Sequence, residues 1–121
     1  MELLKLSYSE QEVLKPLLEL QTEQIGLQLG TARILKGMKL PEQGESCFSM
    51  HEISIVISGR LQIESEQTNE KHVMEQGNIV SITPNQYSRT TALEDTHVLY
   101  LFFGRQEQFN TDSSRTGDYP K

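Results

Sequence analysis

The sequence is poor in cysteine, in basic residues and in long apolar runs, and each shortage narrows what the protein can be. A single cysteine among 121 residues excludes an internal disulfide and favours a reducing compartment. Lysine and arginine total 11 against 17 acidic residues, and this net charge of −6 argues against nucleic acid as a partner. No apolar run reaches the roughly 18 residues of a membrane span, so no membrane partner is expected. The opening MELLKLSYSEQE lacks the pattern of a secretory signal, and we expect a cytoplasmic protein.

A chain of 121 residues has room for one domain with one core. Near its start, Ser9 and Glu12 have the spacing of a capping box, which predicts a short helix that Pro16 ends or kinks. We therefore expect a helical or extended segment over 1–24. At the other end, residues 109–121 carry little apolar surface, and we expect a flexible tail there.

Between these ends, short stretches of alternating apolar and polar residues are separated by glycine, proline and polar turns. The first stretch begins at Ile25 and predicts a strand with a bulge at Gly30. Another covers 52–57 and ends at Gly59, with 61–64 as its hairpin return. Further strands are predicted at 72–74, 78–82, 88–93 and 97–103, whereas 37–46 is predicted to be a loop. Turn signals about every 8–12 residues favour an all-β sandwich or barrel over 25–108.

Three stretches, in order, resemble the small single-domain cupins. Glu52 precedes Gly59 by seven residues, as the glutamate does in the first cupin motif. GNIVSITPNQYSR resembles the second motif, and TALEDTHVLYLFFGRQE resembles the closing strand. The resemblance covers about residues 25–104. It implies an all-β double-stranded β-helix, the cupin jelly-roll barrel, with a short N-terminal helical segment packed outside it.

The resemblance also implies a metal site of three histidines and a glutamate, and only the glutamate, Glu52, is present here. In the alternative registers the histidine positions fall on Ser46 or Glu45, on Phe48 or Cys47, and on Ser88 or Arg89. No register supplies the imidazoles that such a site needs. We therefore expect neither a metal nor another cofactor.

Glu52 becomes the main candidate for a functional residue. Its side chain shares a strand face with Ser54, and this face looks into the barrel of cupins. A buried carboxylate is costly unless it is paired, for which Arg33 and Arg89 are candidates, or works as an acid or base with a raised pKa. The candidate catalytic residues are Glu52, His51 and Tyr87. The candidate ligand-binding residues are Arg33, Ser54, Gln86, Ser88, Arg89, Tyr100 and Phe102.

Three functions remain open from the sequence. The first is a metal-independent lyase or isomerase that performs acid/base chemistry on a small polar metabolite. The second is a dimeric cupin that senses a ligand, or serves as an accessory subunit, without catalysis. The third is a metal-dependent cupin with an atypical ligand set, drawn from Cys47, His51, Glu52 and His97.

The other face of the same strand carries Ile53, Ile55 and Ile57, which should point outward. Leaving each of these side chains exposed would forgo roughly 1.5–3 kcal/mol, so we expect a cover. Either the N-terminal helix or a second copy of the chain could provide it. We expect a homodimer formed through this face.

Overall fold

The computed structural model describes residues 1–105, which form nine strands in two antiparallel sheets. The strands are β1 (Leu14–Gln21), β2 (Ile25–Ile34), β3 (Lys39–Leu40), β4 (His51–Ser58), β5 (Arg60–Ser65), β6 (Glu70–Glu75), β7 (Ile79–Ile82), β8 (Arg89–Ala92) and β9 (Thr96–Arg105). One sheet has the order β1-β2-β9-β4-β7 and the other the order β3-β8-β5-β6. From β2 onward the chain passes repeatedly from one sheet to the other, which gives the predicted all-β jelly roll. Residues 1–105 include no helix that is long and apolar enough to cross a membrane.

The core lies between the two sheets, where the apolar residues of each strand alternate toward the partner sheet. On β5, for example, Leu61 and Ile63 are buried while Gln62 between them is not. The buried apolar cluster consists of Ala32, Ile34, Val56, Leu61, Ile63, Met74, Ile82, Ala92, Val98 and Tyr100. The period-two alternation that predicts the strands also separates the core from the surface.

The predicted N-terminal helix is wrong. The capping interaction does form, since the Ser9 hydroxyl accepts hydrogen bonds from the backbone N–H groups of Gln11 (3.1 Å) and Glu12 (2.9 Å). The chain then enters β1, which pairs with β2 from Leu14 opposite Ala32 onward. Backbone pairing with a long neighbouring strand therefore prevails over a local cap, in a segment where Pro16 already disfavours a helix.

The bulge predicted at Gly30 lies on the partner strand instead. The β1 register shifts between Pro16 and Leu18, whereas β2 pairs with β9 without interruption. Proline has no N–H to donate, so it is tolerated at such an irregularity. Gly30 has a different role, because a Cβ at this position would collide with the ring and hydroxyl of Tyr100. Its missing side chain makes room for that tyrosine on the inner face.

Two further predictions need correction. Gly59 does form a turn, with φ of 96°, but β4 and β5 are not a hairpin because they belong to different sheets. The hairpin partner of β5 is β6. Part of the predicted loop 37–46 forms the short strand β3, which pairs with β8. The predicted domain boundary at 108 and the tail 109–121 lie outside the described residues.

Candidate functional site

The candidate site is built on the inner face of the five-stranded sheet. Strand β9 lies between β2 and β4, so each of its inward side chains has a neighbour on both sides. Phe102 lies between Gln28 of β2 and Glu52 of β4, and Tyr100 lies between Gly30 and Ser54. Directly opposite side chains in antiparallel strands are about 4.5–5.5 Å apart at Cβ, so these rows are in contact range.

A cavity of about 390 Å³ opens over these rows, between the two sheets. Its volume falls within the range of roughly 300–1,000 Å³ that is typical of small-molecule sites. Most of its wall is apolar, with a few polar groups among the hydrocarbon and aromatic surface. The polar lining residues are Gln28, Ser46, Glu52, Ser54, Ser88, Thr90 and Tyr100. Within the described residues, the lining includes no lysine, arginine or histidine.

Glu52 carries the charge of this wall. The Ser54 hydroxyl donates a hydrogen bond to Glu52 Oε2 at 3.1 Å. Burial raises the pKa of Glu52 above its ordinary value, and the hydrogen bond from Ser54 opposes this only in part. Glu52 lines the cavity, and the residue as a whole is partly rather than fully buried. Across residues 1–105, no basic side chain forms an ion pair with it.

The two arginines predicted as possible partners of Glu52 bind elsewhere. Arg33 donates to the backbone carbonyls of Ser9 (2.9 Å) and Glu10 (2.7 Å), and so holds the N-terminal segment. Arg89 donates to the carbonyls of Pro41 (3.2 Å) and Glu42 in the loop that follows β3. Neither arginine lines the cavity. The structure thus gives these guanidinium groups roles in holding loops and does not bring them to Glu52.

The other two candidate catalytic residues also lie apart from the cavity. His51 is on the outer face of β4, where its ring stacks on Phe103 with centroids 5.1 Å apart. Adjacent residues of a strand point to opposite faces, so His51 and Glu52 diverge. Tyr87 does not line the cavity, and its backbone N–H donates to the Gln67 side chain at 3.0 Å.

Some of the candidate ligand-binding residues line the cavity and others lie away from it. Ser54, Ser88, Tyr100 and Phe102 line the cavity together with Glu52. Gln86 lies instead at a second pocket, which is lined mostly by residues of β5, β6 and β7.

Sequence reasoning missed Gln28, which anchors Tyr100. The Tyr100 hydroxyl donates to Gln28 Oε1 at 2.9 Å, and Gln28 Nε2 donates to Glu19 at 2.6 Å. Burial, with a smaller contribution from the Glu19 charge, raises the pKa of Tyr100 to about 12. Alternation along β2 was the available signal, because it places Gln28 on the same face as the buried Ala32.

The aromatic part of the wall was also incompletely predicted. Phe48 lies with its ring centroid 5.3 Å from that of Phe102, which is in turn 5.2 Å from that of Tyr100. These three rings form a continuous aromatic surface beside Glu52. Phe48 precedes β4 in a loop, where strand periodicity gives no information on direction.

The residues present do not fit the metal that the cupin resemblance implies. Ser46, Phe48 and Ser88 line the cavity with Glu52, and they occupy the histidine positions of one predicted register. Ser46 and Ser88 are paired through backbone hydrogen bonds of 2.7 and 2.9 Å. Two hydroxyls, a phenyl ring and one carboxylate are a poor ligand set for a transition metal. In the part of the chain that the structure describes, no group of three or more His, Cys, Asp or Glu residues could hold a metal ion.

No protein-family model matches the sequence, and no curated protein matches it. Solved structures do match. The KdgF protein of a Halomonas species is 21% identical, with 78% of this chain and 79% of that chain covered and a TM-score of 0.61. A cupin superfamily protein of Desulfitobacterium hafniense is 10% identical, with 74% and 73% covered and a TM-score of 0.56. A cupin-2 domain protein of Shewanella frigidimarina is 16% identical, with 62% and 68% covered and a TM-score of 0.53. At these identities the likeness shows the fold, which is that of the small cupins.

Proposed function

We propose that this chain with a cupin fold binds a small organic molecule in its jelly-roll cavity and acts on it by metal-independent acid/base chemistry, of the lyase or isomerase type. The observation that carries the proposal is the carboxyl of Glu52, which faces the cavity without a basic partner among residues 1–105. A carboxyl with a raised pKa can both accept and donate a proton closer to neutral pH.

The neighbouring groups suit this role. Ser54 holds one oxygen of the Glu52 carboxyl, which fixes its direction. Tyr100, with a pKa of about 12, stays protonated at neutral pH, and its hydroxyl is held by Gln28. The apolar remainder of the wall limits water around a reacting carbon atom. A ligand that matches this wall has one polar end at Glu52 and an apolar body.

Non-catalytic ligand binding is the second candidate. It is favoured by the shortage of further acid/base groups, since Tyr100 is the only other titratable residue in the described cavity wall. The open cavity and the lack of a locking arginine at Glu52 favour the enzyme. A metal-dependent reaction is the least supported, because His51 points away from Glu52.

The test begins with a library of small metabolites screened by thermal shift, followed by turnover of each binder in D₂O, monitored by NMR. Glu52→Gln should lose turnover at saturating ligand concentration by about 10²–10⁴-fold, the usual contribution of a general acid or base. Glu66→Gln, which changes an exposed carboxyl in the turn after β5, is the matched control and should react like wild type. Unchanged turnover in Glu52→Gln would refute the proposed chemistry. A stoichiometric metal in protein purified without an affinity tag would favour the metal-dependent alternative.

A further inference from the structure

We infer that the ligand of this cavity is a small organic amine, bound as its cation, with a hydrocarbon or aromatic body. This inference rests on the proposed function, because it names the chemical class that the same cavity receives.

The charge of the cavity wall determines which sign of charge the ligand should carry. Among residues 1–105, Glu52 is the only lining residue that can be ionised near neutral pH, since Tyr100 stays protonated. An anionic ligand would face this carboxylate in a largely apolar space with no basic group to compensate. A cation would pair with the carboxylate and offset the cost of burying it.

The aromatic surface beside Glu52 also favours a positively charged ligand. Phe102 is the direct cross-strand neighbour of Glu52, and the rings of Phe48 and Tyr100 both contact the Phe102 ring. A cation is attracted to an aromatic face when it lies within about 6 Å of the ring centroid. An ammonium group at the Glu52 carboxylate would be near the Phe102 ring, so both interactions can act at one point.

The rest of the cavity wall suits a ligand whose body is hydrocarbon rather than polyhydroxylated. Met50 and Ile82 are buried near Glu52, Met50 just ahead of the start of β4 and Ile82 opposite Glu52 on β7. The hydroxyls of Ser46 and Ser88, which also line the cavity, can accept hydrogen bonds from the further N–H groups of an ammonium. A sugar acid or a phosphate ester would instead leave its anionic group unpaired.

Three probes of similar shape but different charge separate the contribution of ligand charge to binding from that of the hydrocarbon body. Cyclohexylmethylamine, cyclohexylmethanol and cyclohexanecarboxylate are titrated into the full-length protein by calorimetry at pH 8. The amine should bind at least about tenfold more tightly than the alcohol, and the carboxylate should not bind. In Glu52→Gln the affinity for the amine should fall to that for the alcohol. In Glu66→Gln the three probes should keep the order of affinities that they have in wild type.

A second variant keeps the inference testable if Glu52→Gln does not fold. Phe102→Leu retains the Glu52 carboxyl and should weaken binding of the amine about two- to fivefold, as expected for a lost cation–π contact. Binding of the alcohol should change less.

Equal or tighter binding of the alcohol or the carboxylate in wild type would overturn the amine inference but leave small-molecule binding in place. Binding of none of the three probes would also overturn it. The proposed acid/base function would still be judged by its own metabolite screen and by turnover in Glu52→Gln.

Discussion

Glu52 has the buried Met50 just ahead of β4 on one side and Ser54 along β4 on the other. Across the sheet its neighbours are Phe102 and Ile82. This environment disfavours the charged form of the carboxyl, which is why its pKa is raised. The folded state therefore binds a proton at Glu52 more tightly than the unfolded chain does. The protonated carboxyl stabilises the fold below its ordinary pKa, and this contribution is lost as the pH rises through the raised pKa.

Replacing Glu52 with glutamine should remove this pH dependence. The free energy of unfolding of Glu52→Gln, minus that of wild type, should increase with pH from the ordinary glutamate pKa upward, by at most about 1.4 kcal/mol per pH unit. Urea denaturation of both proteins between pH 4 and pH 8 measures the difference. Glu66→Gln should show no such increase, and a flat difference for Glu52→Gln would contradict a raised pKa.

The face of the sheet on which a strand residue lies can be predicted from sequence alternation, one position at a time. Alternation correctly separates Glu52 and Ser54 from His51, and it places Tyr100 and Phe102 together. Arginine was harder to place, because a long flexible side chain reaches many acceptors. Arg33 binds backbone carbonyls of a segment more than twenty residues away in the sequence, which no local pattern reveals.

Among the elements, the N-terminal segment shows where local signals fail. Ser9 caps the following residues as predicted, yet no helix follows. The stretch Leu14–Gln21 joins the sheet edge beside β2. Its pairing with β2 depends on β2 itself being held by β9, near the end of the described chain. Such non-local pairing lies beyond the reach of a pattern read along the sequence.

The passage from β4 to β5 shows a related limit. The turn at Gly59 was predictable, because its positive φ suits glycine. A Cβ there would also collide with the backbone of Asp95 and Thr96, where the chain enters β9. The turn alone does not decide whether the two strands pair or separate. Here they separate into the two sheets, and β4 instead pairs with β9 and β7.

At the scale of the whole molecule, the outer face of the five-stranded sheet carries a row of partly buried apolar side chains within residues 1–105. Ile53 lies opposite Leu101, which lies opposite Leu29, and all three are only partly buried. The N-terminal segment covers one end of this face. There Thr31 donates to the Ser7 carbonyl at 2.5 Å, and the Tyr8 ring contacts His97 with centroids 4.4 Å apart.

Because the centre of this face keeps exposed apolar area, we expect two copies of the chain to associate through it. Ile53→Glu should shift the protein from dimer to monomer in sedimentation velocity at micromolar concentration. Val73→Glu places the same charge on β6 of the other sheet and should leave the assembly unchanged. Thermal unfolding of both variants checks that they fold. A monomeric wild type would refute the predicted dimer.

The protonation state of the Glu52 carboxyl is central to both proposals, and it can be observed directly. Glutamate labelled with ¹³C at the carboxyl carbon allows Glu52 to be titrated by NMR, with its signal assigned from Glu52→Gln. The pKa of Glu52 should lie above the ordinary glutamate value in the free protein and should fall when cyclohexylmethylamine saturates the cavity. A pKa at or below the ordinary value, or one that the bound amine leaves unchanged, would contradict the account.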